Sequence, residues 1–389
     1  MGASNLDAFA DAFRMIINLS KMHAMWLIDK QEKNLFEAIE LLEKAKDEEK
    51  YIHIAGMGRS KLAGMIVGEL LKDLGFHVSV IGDILSRPVK PDDIVLAISA
   101  SGWTTTTCFV VEEALKLGAK VIAFTATPGS KIDRLADVSI YLPGKSEISD
   151  LPYIIRQLIG KHKTPLTPMG TLPETNTILV GVGLVKLLES RGASTRVFKD
   201  SIEIVLNNAE RSFKGIMENT SELERIIEIV SMCVQRKKPK IYFIGTGIGK
   251  LIALMSAMRF QHLGLNITKI DDWKFRERKD ILIAISSSGE STFTLLYAEE
   301  AKRSGMILIS LTANPDSTLA KLSDTKLLLT DFAERKDYIK LRIRDEKPSA
   351  FIPAFEYAGL LTLEGIVAQI AENFHIREED MRKLHANIE

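Results

Sequence analysis

The sequence predicts two tandem doubly wound α/β sandwiches, each a parallel β-sheet covered by helices on both faces, and three observations carry that reading. The chain repeats itself: EEALKLGAKVIAFTATPGSKIDRLAD at 112–137 aligns without a gap to EEAKRSGMILISLTANPDSTLAKLSD at 299–324, with 11 of 26 positions identical. Each repeat alternates short, apolar, β-rich runs with stretches of helical period, the pattern of a parallel sheet buried on both faces. A hydroxyl-rich turn centred on glycine follows the same strand in each repeat, ISASGWTTTT at 98–107 and ISSSGEST at 285–292. The turns keep the offset of the long repeat, since 299 − 112 and 286 − 99 are both 187.

Taken in order, the elements of the two units correspond. After N-terminal helices, YIHIAG in the first unit matches IYFIG in the second, each a short strand ended by glycine. SKLAGMIVGELLKDLG and GKLIALMSAMRFQHLG follow, with apolar residues recurring at three and four as a helix requires. HVSVIG and NITKI, then DIVLAIS and DILIAIS, are the next strands; helices follow around 104–117 and 291–304. AKVIAFTA with MILISLTA, and VSIYL with KLLLT, complete the two sets of strands. The segment ASTRVFKDSIEIVLNNAERSFKG separates the units, which places the first domain at 1–205 and the second at 206–389.

Composition narrows the partners. Among 389 residues, Lys+Arg 51 balances Asp+Glu 51, so the chain lacks the basic field that nucleic acid or an anionic membrane would demand. No apolar run reaches the roughly 18 residues of a membrane span. The start MGASNLDAFADAF carries acids where a secretory leader carries bases, and Leu6 breaks a myristoylation pattern. The two cysteines, Cys108 and Cys233, form no metal or redox motif and suit a reducing cytoplasm. GMGRSK at 56–61 puts Lys61 where a dinucleotide-binding fingerprint needs its third glycine, and His23, His53 and His77 have no ligand spacing. Neither a cofactor nor a metal is expected.

The turns carry the chemistry. A loop leading from a strand end into a helix N-terminus offers free backbone N–H groups and the positive end of the helix dipole, so it attracts an anion. Ser99, Ser101 and Thr104 around Gly102, and Ser286, Ser288 and Ser291 around Gly289, can add hydroxyl donors, while glycine permits close backbone approach. Helix capping alone would explain one such turn. Two in register favour a phosphate.

These turns resemble the phosphate loop of the sugar isomerase (SIS) domain, a flavodoxin-like sandwich that binds phosphosugars. GMGRS at 56–60 is similar to the Gly-x-Gly-Arg-Ser of 6-phospho-3-hexuloisomerases, TPMGTLPE at 167–174 to their Pro-Leu-Gly-Thr-x-x-Glu, and HANIE at 385–389 to their C-terminal ending. Trp103 stands where the loop usually has glutamate. The family usually has one domain per chain and assembles as tetramers, so the fused pair departs from its pattern and a homodimer of this chain would reproduce a four-domain assembly. The resemblance implies a phosphorylated sugar as ligand, with Gly56, Gly58, Arg59 and Ser60 beside it.

Moving a carbonyl along a phosphosugar needs a base to take the proton from the adjacent carbon, an enediol, and a group that shuttles protons between oxygens; a carboxylate and a histidine suffice. Glu174 and Glu356 occupy matching places near the start of the last long helix of each unit, where a glutamate can also merely complement the helix dipole. The first unit keeps Arg59 and Ser60, whereas the second has Ile248 and Gly249, and His385 occurs only at the end of the second. A composite site is expected: Arg59, the 99–104 turn and Glu174 from one half, His385 from the other. The expected activity is interconversion of 3-hexulose 6-phosphate and fructose 6-phosphate. The alternatives are a noncatalytic phosphosugar sensor and another SIS enzyme, such as an amino-sugar phosphate isomerase or deaminase.

Overall fold

The computed structural model describes residues 6–143, 171–191, 194–234, 236, 238–331 and 350–384. A long helix α1 (Asp7–Asp47) leads into β1 (Tyr51–Gly56), α2 (Gly58–Asp73), β2 (His77–Val80), β3 (Ile94–Ile98), α3 (Thr105–Lys116), β4 (Lys120–Thr125), α4 (Lys131–Leu135), β5 (Val138–Tyr141) and α5 (Thr171–Glu189). The second unit repeats the order: α6 (Thr195–Glu218), α7 (Ser221–Ser231), β6 (Ile241–Gly245), α8 (Ile248–Gln261), β7 (Ile267–Thr268), a 3₁₀ turn (Ile270–Phe275), β8 (Ile281–Ile285), α9 (Thr292–Arg303), β9 (Ile307–Thr312), α10 (Thr318–Leu322), β10 (Thr325–Leu328), α11 (Ala354–Asn373) and α12 (Glu378–Lys383). Each sheet has five strands, in the orders β2-β1-β3-β4-β5 and β10-β9-β8-β6-β7, and every pairing is parallel.

The strands show why the sheets are covered twice. Successive side chains point to opposite faces, so Ile94, Leu96 and Ile98 of β3 join one apolar cluster while Val95 and Ala97 join another beneath α3. The first of these clusters is continuous across the molecule. It takes in both sheets and the helices between them, from Phe9 and Phe13 of α1 to Phe355 and Ile370 of α11.

The segment that the sequence marks as the boundary is itself a helix. In α6, Phe198, Ile202, Val205, Leu206, Ala209 and Ile216 recur at helical spacing and are buried, and Ser194 caps the start by accepting the Arg196 N–H. This helix runs unbroken across residue 205, where the sequence places the boundary. The contact between the units is a packed core. The Phe9 ring lies against Gly365 of α11, where a Cβ would come within 2.6 Å of it, and the Phe9 N–H donates to Gln369 Oε1 at 3.1 Å. Burying side chains of this size stabilises by about 1.5–3 kcal/mol each, so these contacts help to hold the two halves together.

Similar close approach sets the helices near the first sheet. A Cβ on Gly181 of α5 would lie 2.5 Å from Val67 Cγ2 of α2, so glycine there lets the two helices touch. Their N-terminal turns are thereby brought together. Gly102 and Gly289 have a different reason to be glycine. Each adopts a φ of +65°, and a Cβ would fall 1.9 Å from Ser130 Oγ at Gly102 and 2.1 Å from Ser317 Oγ at Gly289. We expect Gly102→Ala to destabilise the chain by roughly 2–4 kcal/mol, the sum of a left-handed backbone penalty and an overpacked contact. The midpoint of denaturant unfolding measures this; an unchanged midpoint would show that the turn can relax.

Candidate functional site

The carboxyl ends of β1 and β3 lie side by side, with Gly56 in register with Ile98. In a sheet of this order the chain leaves those two strands in opposite directions, opening the crevice in which such sheets hold ligands. The first predicted loops converge there. After β1, the chain turns through Gly58, at φ +53°, into α2, so Arg59 and Ser60 fall in its first turn. After β3 come Ser99, Ser101, Gly102 and Thr104.

The hydroxyls of this turn first build the loop itself. Ser99 Oγ accepts the Gly102 N–H at 3.1 Å and pairs with Thr104 Oγ1 at 3.1 Å, while Ser101 Oγ accepts the Trp103 N–H at 3.2 Å. Thr104 is the N-cap residue of α3, yet its side chain makes no capping bond. The first-turn amides of α3 therefore keep their donors for another acceptor. The second turn is built alike: Ser286 Oγ accepts from Gly289 N at 3.2 Å and meets Ser291 Oγ at 3.1 Å, Ser288 Oγ accepts from Glu290 N at 3.2 Å, and Ser291 does not cap α9. It differs in its charges. Glu290 accepts the Thr318 N–H of α10, and the Ser287 hydroxyl is bonded to Asp331.

Arg59 points into the molecule and is 5% exposed. Its Nε lies 2.9 Å from Glu174 Oε2, and its Nη2 lies 2.6 Å from Glu364 Oε1. Glu364 Oε2 in turn lies 3.1 Å from Arg259 Nε and accepts from Thr171 Oγ1 at 3.2 Å. The order Glu174, Arg59, Glu364, Arg259 alternates in sign, with one residue from each of α5, α2, α11 and α8, and all four are buried. Two equivalent charges of each sign neutralise one another, which is the condition for burying them at all. Removing one partner would leave a buried charge uncompensated, typically about 3–5 kcal/mol.

This environment tunes the carboxylates in opposite directions. Burial pushes the Glu174 carboxyl up to about 7, from an ordinary 4.5; Arg59 and Arg259 pull it down and Glu364 pushes it up. Burial also acts upward on Glu364, but Arg59, Arg259 and the bonds from Arg259 and Thr171 outweigh it and hold that carboxyl below its ordinary value. Two carboxylates whose ionisations are driven apart by position are the usual arrangement for a proton-transferring group and its electrostatic support.

The structure thus brings together Glu174 and Arg59, both of the first unit. Glu356 is buried in the first turn of α11, and its unit has Ile248 where the first has Arg59. His385 lies outside the described residues. Arg259 and Glu364 are additions that the repeat conceals, because their counterparts are apolar: 259 − 189 is Leu70 and 364 − 182 is Val182. The available signal was a lone charge in each of two otherwise apolar helical runs, LIALMSAMRFQ and YAGLLTLEGIVAQI.

Comparison with known proteins agrees with the fold. The SIS domain family matches residues 47–155 and 235–335, more than half of the chain, and the protein belongs to that family. An uncharacterised protein of Aeropyrum pernix is 36% identical over 151 residues, covering 39% of this chain and 71% of that one. The 3-hexulose-6-phosphate isomerase of Bacillus subtilis is 33% identical over 142 residues, covering 36% of this chain and 72% of that one. The crystal structure of tagatose-6-phosphate ketose/aldose isomerase from Escherichia coli superposes with a TM-score of 0.60 at 14% identity, covering 100% of this chain and 98% of that one, and so shares the tandem fold. Among the described residues no helix is long and apolar enough to cross a membrane.

The raised carboxyl of Glu174 has a consequence for stability. Since its folded-state value of about 7 exceeds the ordinary 4.5, its contribution is complete below about pH 4.5 and is lost as pH rises through about 7. Glu174→Gln keeps the neutral form at every pH. Whatever the constant cost of the substitution, we therefore expect the stability difference between the two chains to move in the variant's favour from pH 4.5 to 8, by an amount on the order of 3 kcal/mol. Melting temperatures of both chains across this range test it. A difference that does not change with pH would mean that Glu174 ionises as freely in the folded chain as in the unfolded one.

Proposed function

We propose that the protein is a phosphosugar isomerase that interconverts 3-hexulose 6-phosphate and fructose 6-phosphate through an enediol. The observation that carries this reading is Glu174: a buried carboxylate poised near neutrality on Arg59, in the unit whose phosphate-type turn opens at the β1/β3 crevice. A base tuned to the working pH is half ionised there, which suits it to take a carbon-bound proton and return it. In this reaction Glu174 removes the proton from the carbon beside the carbonyl and delivers it to the former carbonyl carbon. A second proton passes from one oxygen to the other. We assign that transfer to His385 from the end of the second unit. The resemblance to hexuloisomerases in GMGRS, TPMGTLPE and HANIE, and the similarity to the Bacillus subtilis enzyme, support this choice of sugar.

The phosphate would rest on the α3 amides with the Ser99, Ser101 and Thr104 hydroxyls around it. The cut at 205/206 divides the chain into two such units, and a homodimer in the cytoplasm would present four. One observation favours a sensor: Arg59 is already bonded to Glu364 and ion-paired with Glu174, which leaves less of its guanidinium for a ligand. Turnover decides between the two readings.

Ser101→Ala combined with Thr104→Ala should weaken fructose 6-phosphate binding by roughly 2–4 kcal/mol, at about 1–2 for each bond lost to a charged group. Calorimetry on the folded double variant checks this, and unchanged affinity would move the phosphate elsewhere. Glu174→Gln and His385→Ala should each lower isomerase turnover by about 10²–10⁴ with little change in affinity, as loss of an acid/base group does. Glu356→Gln should lose much less, because its unit lacks an Arg59 equivalent. Equal losses at Glu174 and Glu356 would indicate two working sites, and loss at neither would favour the sensor.

A further inference from the structure

We infer that Arg259 and Glu364 of the second unit are positioning residues for the first unit's base, holding Glu174 through Arg59 so that the first site is complete only with the second unit docked. This inference rests on the reading of Glu174 as the base. Its ground is the geometry of a single run of contacts. Glu174 Oε2 meets Arg59 Nε at 2.9 Å, Arg59 Nη2 meets Glu364 Oε1 at 2.6 Å, and Glu364 Oε2 meets Arg259 Nε at 3.1 Å.

Each link fixes the next. Arg59 is a planar fork, and the carboxylate bonded at Nη2 fixes the plane of the guanidinium, whose Nε then lies beside Glu174 as an ion pair and not as an aligned hydrogen bond. Glu364 is fixed in its turn by Arg259 on one oxygen and by the Thr171 hydroxyl at 3.2 Å. Thr171 and Glu174 share the first turn of α5, so the second unit's carboxylate grips both ends of that turn: one directly, the other through Arg59. Nothing in the fold alone requires this. A leucine or valine at positions 259 and 364, as at their counterparts Leu70 and Val182, would pack the same helices without burying charge.

Among the described residues, the charges acting on Glu174 are three. Arg59 comes from α2, Glu364 from α11 and Arg259 from α8. On the α1 side, His23 bonds Asn176 and is neutral, since burial lowers it to about 4 against the smaller raising effects of the Tyr141 carbonyl and Asn176. Further along α5, α6 presents the uncharged Phe198 to Gly183. Arg259 itself is 1% exposed, its Nη1 and Nη2 have no hydrogen-bond partner among the described residues, and its Nε donates to Glu364 Oε2.

The test uses the full chain and the variants E364Q, R259Q and R259K. Two readouts are taken: the acid limb of kcat/KM with fructose 6-phosphate, and the ¹³C carboxyl resonance of Glu174, identified by its loss in E174Q. Removing the Glu364 charge leaves Arg59 to Glu174 alone, so E364Q should move the Glu174 titration to lower pH by about one unit or more. R259Q removes a cation that favours the ionised form and should move it to higher pH. R259K, which restores the charge, should return it towards the native position. A merely structural role would lower activity without these opposite shifts. One folded variant of E364Q and R259Q suffices, and a titration that stays at the native pH in it overturns the inference. If the shifts occur but E174Q retains native turnover, the coupling stands and it is the reading of Glu174 as base that falls.

Discussion

Four charged side chains can share a protein interior only if their signs alternate and their helices arrive together, and that constraint shapes the centre of this molecule. Glu174, Arg59, Glu364 and Arg259 come from four helices of two units, and none could be buried alone without a penalty of several kcal/mol. The apolar core must therefore deliver α2, α5, α8 and α11 to one place. Close packing does so: Gly181 on Val67 seats α5 against α2, and Gly365 on Phe9 seats α11 against α1. The ion pairs add little net stability compared with an apolar filling. Their effect is to make one docking of the units acceptable and others costly.

The same arrangement explains how a buried carboxyl can titrate near neutrality. A carboxylate in an apolar interior would simply stay protonated at neutral pH. One held by an unshared arginine would stay ionised. Glu174 stands between these limits because Arg59 divides its charge between two carboxylates, and Glu364, facing two guanidinium groups, takes the larger share. The electrostatics thus follow from counting: two cations and two anions, with the anion at the end of the run less well compensated than the one inside it.

Much of this fold is legible in the sequence because the signals are periodic. The alternation of Ile94, Leu96 and Ile98 with Val95 and Ala97 requires a sheet with two covered faces, and the internal repeat requires two of them. The hydroxyl turns are legible too, since only glycine tolerates φ +65° against Ser130 and Ser317. Arg59 and Glu174 are marked by their motifs, but their pairing depends on how α5 packs on α2, which no local spacing encodes. Arg259 and Glu364 are hidden for a physical reason. Comparison of the repeats finds what the units share, whereas these residues act where the units differ. The helix α6 escaped notice because its polar face, Arg196, Lys199, Asp200 and Glu203, looks like a solvated connection when its buried face of Phe198, Ile202 and Val205 is not weighed with it.

Duplication also relaxes what each half must keep. Two units that each kept the same charges would bring two copies of every charge to the centre. Here the second unit carries Ile248 in place of the Arg59 guanidinium and places its cation three turns further along, at Arg259 of α8. The first unit correspondingly keeps Val182 where α11 has Glu364. Each substitution alone would unbalance the centre, whereas together they turn two competing sites into one run of alternating charge. The second unit retains its turn at Ser286–Ser291, with Asp331 on Ser287, and so keeps the shape of a phosphate loop while gaining a carboxylate beside it. A dianion would be repelled there more than at the first turn. The asymmetry at the centre and the asymmetry at the two turns run in the same direction: in both places the second unit departs from the first in its charged side chains.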